Sequence, residues 1–531
     1  MNVLFLTQST TLKVFYDLMQ QLKKSLQLEK IGFFISDSAY FLKFCKDTPE
    51  IESGRYILVK EWEVTLKAEK SKPDIEKLKK YQEQLKTPSL WEAAVCDRRI
   101  MWGNKFTFRQ DYKPMFNHEQ VMSILTEIFS SVEELFNRVK PDFVISFICT
   151  TMGEFASYLV ARSRNIPFLN LRPTRIQNYM TFGTTIYEPS EIIHAAYKQY
   201  MDKNLEDQWI KKALQYLDFV RQQHARYEGV FLPTQRPPQV RSIMRLPRKK
   251  APLFILKRLI QKMKNIFEEE HHFRFAGPRC DRHLPGSLLP MVYRKLLNPW
   301  LVRKVDSYFS GKYISESELQ NGDYVFFPLH TEPEVSLLVY SKSYLNQIEV
   351  LRNIAYSLPA GMILVVKEHP AARGKRPLSY YQKIEEIFNV RFADPTLNAR
   401  FLIVNSRLVA TIASSVGLEA VLLGKPVITF GQTPYEILPS HMVRRIKDLN
   451  NLDENISDML QNHFHDEKAL INYVAAVMSR SVAIDFYTTL LERKAQFSLG
   501  DSPDRQKDMS ELAKYTMSIL DNISAQKNKQ L

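Results

Sequence analysis

Two short stretches of this 531-residue chain carry groups that can grip an anion. Lys367-Glu368-His369-Pro370 directly follows the apolar run Met362 to Val366. Ligands of open α/β sheets sit beyond the carboxyl ends of strands, so the position suits binding. A lysine and an imidazole there can donate hydrogen bonds to phosphate oxygens, and Pro370 fixes the turn that aims them. The second stretch is Ala413-Ser414-Ser415-Val416-Gly417-Leu418-Glu419-Ala420. Its serines end a strand and open a helix, where unpaired backbone N–H groups and hydroxyls make an anion site. Glu419, about one turn in, is placed to accept hydrogen bonds from a ribose diol. Each stretch also has a plainer reading. A strand-ending histidine can be structural, and Ser415 can simply cap a helix that favours Glu419 near its start. Their order on successive strand ends of one domain predicts a nucleotide mono- or diphosphate site.

The elements that must position them alternate between strand and helix in two blocks. Val3 to Thr7, the helix from about Leu12 to Leu26, and Ile31 to Ser36 form a βαβ start. Residues from about 61 to 85 are rich in Lys and Glu and predict exposed helix. Val121 to Val139 has helical spacing, and Pro141-Asp142 leads into the strand Phe143 to Ile148. A helix from Thr150 to Arg162 and a strand from Ile166 to Leu171 follow. The second block starts with Tyr324 to Phe327, then a helix over Tyr344 to Ser357 and the strand Met362 to Lys367. A helix over Tyr380 to Phe388 follows. Phe401 to Val404 and Leu408 to Ile412 bracket the next unit, and Pro426 to Phe430 is a further strand. Two such blocks predict an α/β chain of two Rossmann-like domains facing a cleft, with helical insertions. The boundaries read as an N-terminal domain over 1–235 and a basic, Pro-punctuated linker over 236–320. A C-terminal domain over 321–465 follows, then helices and a polar tail over 466–531.

Composition narrows the classes. There are only 16 glycines, and neither GxGxxG nor GxxxxGK[ST] occurs, which argues against the usual dinucleotide and P-loop sites. The four cysteines are dispersed without a CxxC pair, so a zinc site or disulfide framework is not expected. The first residues read as a strand rather than a signal peptide, and no run approaches the roughly 20 apolar residues of a membrane span. The expected location is cytoplasmic, with peripheral attachment to the inner face of the membrane as an option. The formal charge is +15, and nine Lys or Arg residues with no acid lie between Arg241 and Lys264. Apolar residues interleave with them, as in an amphipathic helix on an anionic membrane or polymer. A solvated connecting helix is the alternative. Nucleic acid is not an expected partner, since no recognisable binding motif accompanies the charge. His271-His272 reads as part of a solvated charge cluster rather than a metal site.

Taken in order, several motifs resemble a known family. They are Tyr324-Val325-Phe326-Phe327-Pro328-Leu329-His330 with Glu332-Pro333-Glu334, Lys367-Glu368-His369-Pro370, Ser414-Ser415, and Gly424-Lys425-Pro426-Val427. The set resembles bacterial capsular polysaccharide biosynthesis proteins, similar to the KpsC/KpsS-type Kdo transferases. More distantly it is similar to CDP-glycerol polymerases and to bacterial sialyltransferases with their His-Pro motif. Asn170-Leu171-Arg172-Pro173-Thr174-Arg175 also looks like these proteins. The resemblance is firmest over about 320–435 and looser over 1–190.

It implies a GT-B glycosyltransferase that works without a metal or other cofactor and takes a nucleotide-sugar donor, CMP-linked in the family. The acceptor would be lipid-linked or a polysaccharide. Carried over, Lys367, His369, Pro370, Ser414 and Ser415 would hold the donor, with Glu334 on the cleft-facing loop and Glu419 at the ribose. No Asp-x-Asp occurs, so leaving-group charge would be met by fixed donors, with Arg373 or Lys375 assisting Lys367 and His369. Catalysis would also need a carboxylate near the anomeric carbon. Glu154, at the start of the helix after Phe143 to Ile148, and Asp97 are the candidates, with His369 as the catalytic histidine. Either acid can equally be a cap or an ion-paired residue. Arg172 and Arg175 are placed to grip an anionic acceptor or a donor carboxylate, structural ion pairing being the alternative. Two other readings stay open: a nucleotide-sugar 2-epimerase, and an assembly or export factor without chemistry.

Overall fold

The computed structural model describes residues 1–102, 116–203, 207–222, 260, 298–332, 334–373, 376–484 and 504–530. The basic segment 241–264 (Ile260 apart), Lys375, His271-His272 and most of the expected linker lie outside them.

Near-continuous apolar runs make strands that are buried on both faces, as parallel sheets require. Two sheets result. The first is ordered β3-β2-β1-β4-β5-β6-β13, with β1 Val3–Thr7, β2 Ile31–Ile35, β3 Ile57–Lys60, β4 Phe143–Ser146, β5 Phe168–Pro173, β6 Tyr179–Gly183 and β13 Val482–Ala483. The strands from β3 to β5 are parallel, while β6 and β13 add antiparallel at one edge. The second is ordered β9-β8-β7-β10-β11-β12, all parallel, with β7 Tyr324–Pro328, β8 Ile363–Lys367, β9 Val390–Ala393, β10 Leu408–Thr411, β11 Val427–Thr429 and β12 Val443–Arg445. Both follow the doubly wound order, and together they are the expected GT-B pair of Rossmann-like domains.

Each sheet is covered on both faces. The helices His118–Val139 and Met152–Ser163 bury Ile128, Phe129, Phe136 and Phe155 on one face of the first sheet. The helix Thr11–Leu22 covers the other with Phe15 and Leu18. The second sheet carries Gln347–Tyr356 and Leu378–Glu385 on one face. Ser415–Leu422 and Glu467–Ser479 lie on the other.

The chain crosses between domains more often than the boundaries read from the sequence. The helices Glu191–Lys203 and Gln208–Gln222, expected within the first domain, bury Tyr197, Tyr216 and Leu217 in the core of the second. Arg221 pairs with Glu467 at 2.7 Å, and Arg400 donates to the Val220 carbonyl at 2.8 Å. Conversely, β13 pairs with β6, and the stretch expected to end as a polar tail contains a helix over Arg505–Gln530. That helix buries Met509, Leu512 and Ala513 against the first domain. Its apolar stripe is diluted by many charges, which is why the composition alone reads as a tail. Two further elements complete or correct the sequence reading. Phe401 to Val404 falls within the helix Ala399–Asn405, and Glu61, expected on an exposed helix, is fully buried.

Candidate functional site

The second sheet reverses its winding direction between β7 and β10. Loops leaving two such strands part and leave room for a ligand. From β10 the chain runs through Ala413 and Ser414 into the helix Ser415–Leu422. Ser414 is the N-cap, its Oγ accepting the Val416 N–H at 3.1 Å. Tyr435 donates from its hydroxyl to the Ser414 carbonyl at 2.7 Å. Gly417 leaves room for this contact, because a Cβ there would lie 2.1 Å from the Tyr435 hydroxyl oxygen and force it to shift. Ser414, Ser415 and Glu419 are half-buried, so the opening of the helix is reachable from solvent.

Across the gap, two residues after β7, stands His330. Its ring is 5% exposed. Nε2 lies 3.3 Å from the Ala413 nitrogen and 3.5 Å from Thr411 Oγ1, while Nδ1 is 3.7 Å from Glu334 Oε2. The part of the Glu334 side chain that is removed from water would by itself lift its carboxyl. Interaction with His330 and a hydrogen bond from Thr331 instead hold it below the usual range. His330 was quoted in the motif but not selected as a site residue. Its position at the winding reversal was the signal that could have found it.

The neighbouring strand end, β8, is linked to this corner by buried ion pairs. Arg376, wholly buried, binds Glu368, approaches Glu332 at 3.6 Å and donates to the His330 carbonyl. Tyr381 donates to Glu368 at 2.7 Å, and the His369 N–H donates to the same carboxylate at 2.6 Å. Glu332 and Glu368 are therefore internal ties between loops. The side chain of His369 and Pro370 are exposed at the turn beyond the strand. Lys367 is mostly buried, which pulls its ammonium down to about 8 against the upward push of Glu368 and Asp394. Arg373 is paired with Asp306 at 2.6 Å, which commits it to the helix Asn298–Phe309 rather than to a ligand.

The segment after β7 forms a strap to the other domain. Val335, Val339 and Tyr340 enter the core of the first domain, and Lys342 forms an ion pair with Glu92. Gly431 passes so close to Ser341 that a Cβ would overlap it.

In the first domain the equivalent junction, from β4 into Met152–Ser163, is closed by the chain's own carboxylates. The Met152 N–H donates to Asp97 at 3.0 Å and the Gly153 N–H to Glu61 at 3.0 Å. Glu154 accepts from the Thr150 and Thr151 N–H groups at 2.8 and 3.2 Å, and its own N–H donates to Thr151 Oγ1 at 3.3 Å. Arg99 lies among them, 2.9 Å from Glu61 and bonded to Asp97. Glu154 is 1% exposed, and burial pushes its carboxyl up to about 8, helped by Glu61 and opposed by the backbone N–H of Thr150. The same burial raises Glu61. Both expected catalytic acids, Glu154 and Asp97, thus cap a buried helix end, their carboxylates bonded to its backbone N–H groups. Arg172 is likewise turned inward. It is 1% exposed, donates to the carbonyls of Tyr187 and Thr185, and lies 3.4 Å from Glu188. Those bonds occupy the terminal nitrogens that an anionic acceptor would need. Arg175, half-buried with φ of 68°, faces the same Glu188.

The structure therefore gathers Ser414, Ser415, Glu334 and the unforeseen His330 at one corner, with Lys367, His369 and Pro370 one strand away. It leaves Glu154, Asp97 and Arg172 inside the first domain.

Part of the chain matches a known family. Residues 229–444 match the family described as capsule polysaccharide biosynthesis protein. Over 137 residues the chain is 34% identical to Protein FixF of Sinorhizobium fredii (strain NBRC 101917 / NGR234), a stretch covering 24% of this chain and 31% of that protein. The chain thus matches about a third of the length of that relative. Among solved structures it is similar to KpsC, β-Kdo 2,4-transferase, of Thermosulfurimonas dismutans. That likeness has 13% identity and a TM-score of 0.33, over 63% of this chain and 79% of that one. It is also similar to UDP-GlcNAc 2-epimerase of Neisseria meningitidis, with 13% identity and a TM-score of 0.26 over 98% and 99%. Among the described residues no helix is long and apolar enough to cross a membrane.

Proposed function

We propose that this protein is a glycosyltransferase of surface polysaccharide assembly, taking its sugar from a nucleotide donor bound at the β7–β10 corner of the second domain. One observation carries the reading. The helix Ser415–Leu422 opens half-buried and, among the described residues, without a carboxylate plug, at the winding reversal of a Rossmann sheet that lies largely inside the capsule-biosynthesis match. Backbone N–H groups and the helix dipole there favour a phosphate. In this reading Ser414 and Ser415 receive the phosphate, Glu419 the ribose, and His369 with Pro370 the far side of the nucleotide. Lys367 adds positive charge from below. Fixed donors of this kind stabilise a departing nucleotide without a metal. The sugar is Kdo or a related acidic sugar on CMP, and the acceptor is lipid-linked or a polysaccharide. Glu334, exposed beside His330, replaces the buried acids of the first domain as the carboxylate within reach of a reacting sugar. Attachment to an anionic membrane surface would run through 241–264.

A thermal-shift panel with CMP, CDP, UDP, GDP and their sugars tests the site, since a ligand that binds only the native state raises the melting temperature. A shift with one nucleotide class, absent in Ser415→Glu, is the expected result. No shift with any of them removes the proposal. His369→Ala should melt as wild type and lose most turnover; full activity would remove His369 from the site. Vesicle co-sedimentation that survives deletion of 241–264 would end the membrane proposal.

A further inference from the structure

We infer that His330 is a positioning residue of the donor site, its ring holding the Ala413–Ser415 turn in the shape that presents amides to a phosphate. The inference deepens the reading above and rests on it. The backbone of His330 is gripped by buried side chains. Gln347 Oε1 accepts its N–H at 2.8 Å, while its carbonyl accepts from Gln347 Nε2 at 3.2 Å and from Arg376. Arg376 is in turn held by Glu368 and Glu332. A buried polar network with this many mutual bonds specifies one arrangement of its members.

What the network fixes is the direction of one ring. A backbone N–H can only donate, so Nε2, 3.3 Å from the Ala413 nitrogen, is the accepting and unprotonated nitrogen. The ring proton then sits on Nδ1, facing Glu334 at 3.7 Å. Ala413 immediately precedes the N-cap. With its N–H held by His330, the Ser414 carbonyl held by Tyr435, and Val416 held by Ser414 Oγ, the peptide planes between them have little freedom. His330 therefore acts through the turn. The charged groups facing it are Glu334 from the strap, and Arg376 with Glu332 and Glu368 from the loops after β7 and β8. From β10 the ring meets the Thr411 hydroxyl.

The test compares His330→Gln, His330→Asn and His330→Leu by calorimetric titration with CMP and by hydrogen exchange of the unliganded protein. A Gln carbonyl reaches about as far as Nε2, whereas an Asn carbonyl reaches only as far as Nδ1. Gln should keep CMP affinity within about threefold, and Asn and Leu should lose about tenfold or more, roughly the value of one hydrogen bond. Exchange at the Ala413–Ser415 amides should quicken in Asn and Leu but not in Gln. Equal affinity and exchange in Gln and Asn would overturn the inference, and that pair decides even if Leu does not fold. Should wild type bind neither CMP, CDP, UDP nor inorganic phosphate while the exchange pattern holds, the donor-site reading fails and the role of His330 in the turn stands alone.

Discussion

Each domain sends the strand next to its first strand into a helix, β4 into Met152–Ser163 and β10 into Ser415–Leu422, and the two junctions are filled in opposite ways. The first collects Glu61, Asp97 and Glu154 around one guanidinium, all buried. The second has a serine cap, a histidine that accepts rather than donates, and half-buried amides. The same topology provides an anion hole twice, and the first domain satisfies its own with side-chain carboxylates. In the proposed reading, the contents of the junctions direct a phosphate to the second domain, since their backbone geometry is shared.

Breaking the plug should have the largest effect. Arg99→Met leaves Glu61 and Asp97 buried without their counter-charge and should cost about 3–5 kcal/mol in denaturant unfolding. A loss under about 1 kcal/mol would mean that the cluster is neutralised by protons. Building a plug into the second junction comes next. Ser415→Glu should abolish the nucleotide-induced melting shift with little change in the unliganded melting temperature, because a carboxylate suits a helix N-terminus. Gly417→Ala forces a methyl against Tyr435 and should cost about 1–3 kcal/mol, with weaker nucleotide binding.

A pH series separates the junctions further. The Glu154 carboxyl is raised from the usual range to about 8, so between about pH 5 and 8 the folded state holds a proton that the unfolded chain has lost. Stability must then fall as pH rises through that window, by up to about 1.4 kcal/mol per unit for one proton. Glu154→Gln should flatten this slope, and an unchanged slope would exclude Glu154 as its source. The smallest expected effects come from the caps themselves. Thr151→Ala and Ser414→Ala should each cost about 1 kcal/mol, but only the second should weaken nucleotide binding.

Much of the second junction was legible because its signals are local: an apolar run, a serine pair, a glycine, all within a few residues. The class of two Rossmann-like domains followed from the same alternation of runs and breaks, while the edge strands β6, β12 and β13 did not. The first junction was half legible. Thr151-Met152-Gly153-Glu154 is the Ser/Thr-x-x-Glu capping pattern, which already offered Glu154 a structural role. That Glu61 and Asp97 would converge on the same helix end depends on contacts between residues far apart in sequence, which periodicity does not report. Arg172 shows the same limit, since a cationic side chain after a strand gives no sign of whether it turns outward or toward Tyr187 and Thr185. His330 was passed over because its partner, Ala413, offers a backbone N–H that every residue type but proline would supply.

The helix Arg505–Gln530 has a consequence for synthesis. It lies against the helix Thr11–Leu22, ties Arg505 to Asp17 at 2.8 Å and stacks Tyr515 on Phe182. During translation the first domain leaves the ribosome hundreds of residues before the piece that completes its apolar face. Domains that are self-contained settle in order as they emerge. This one must wait with part of its core uncovered, so the interval between its first strand and this last helix is when a growing chain is most exposed to chaperones and to its neighbours on the polysome.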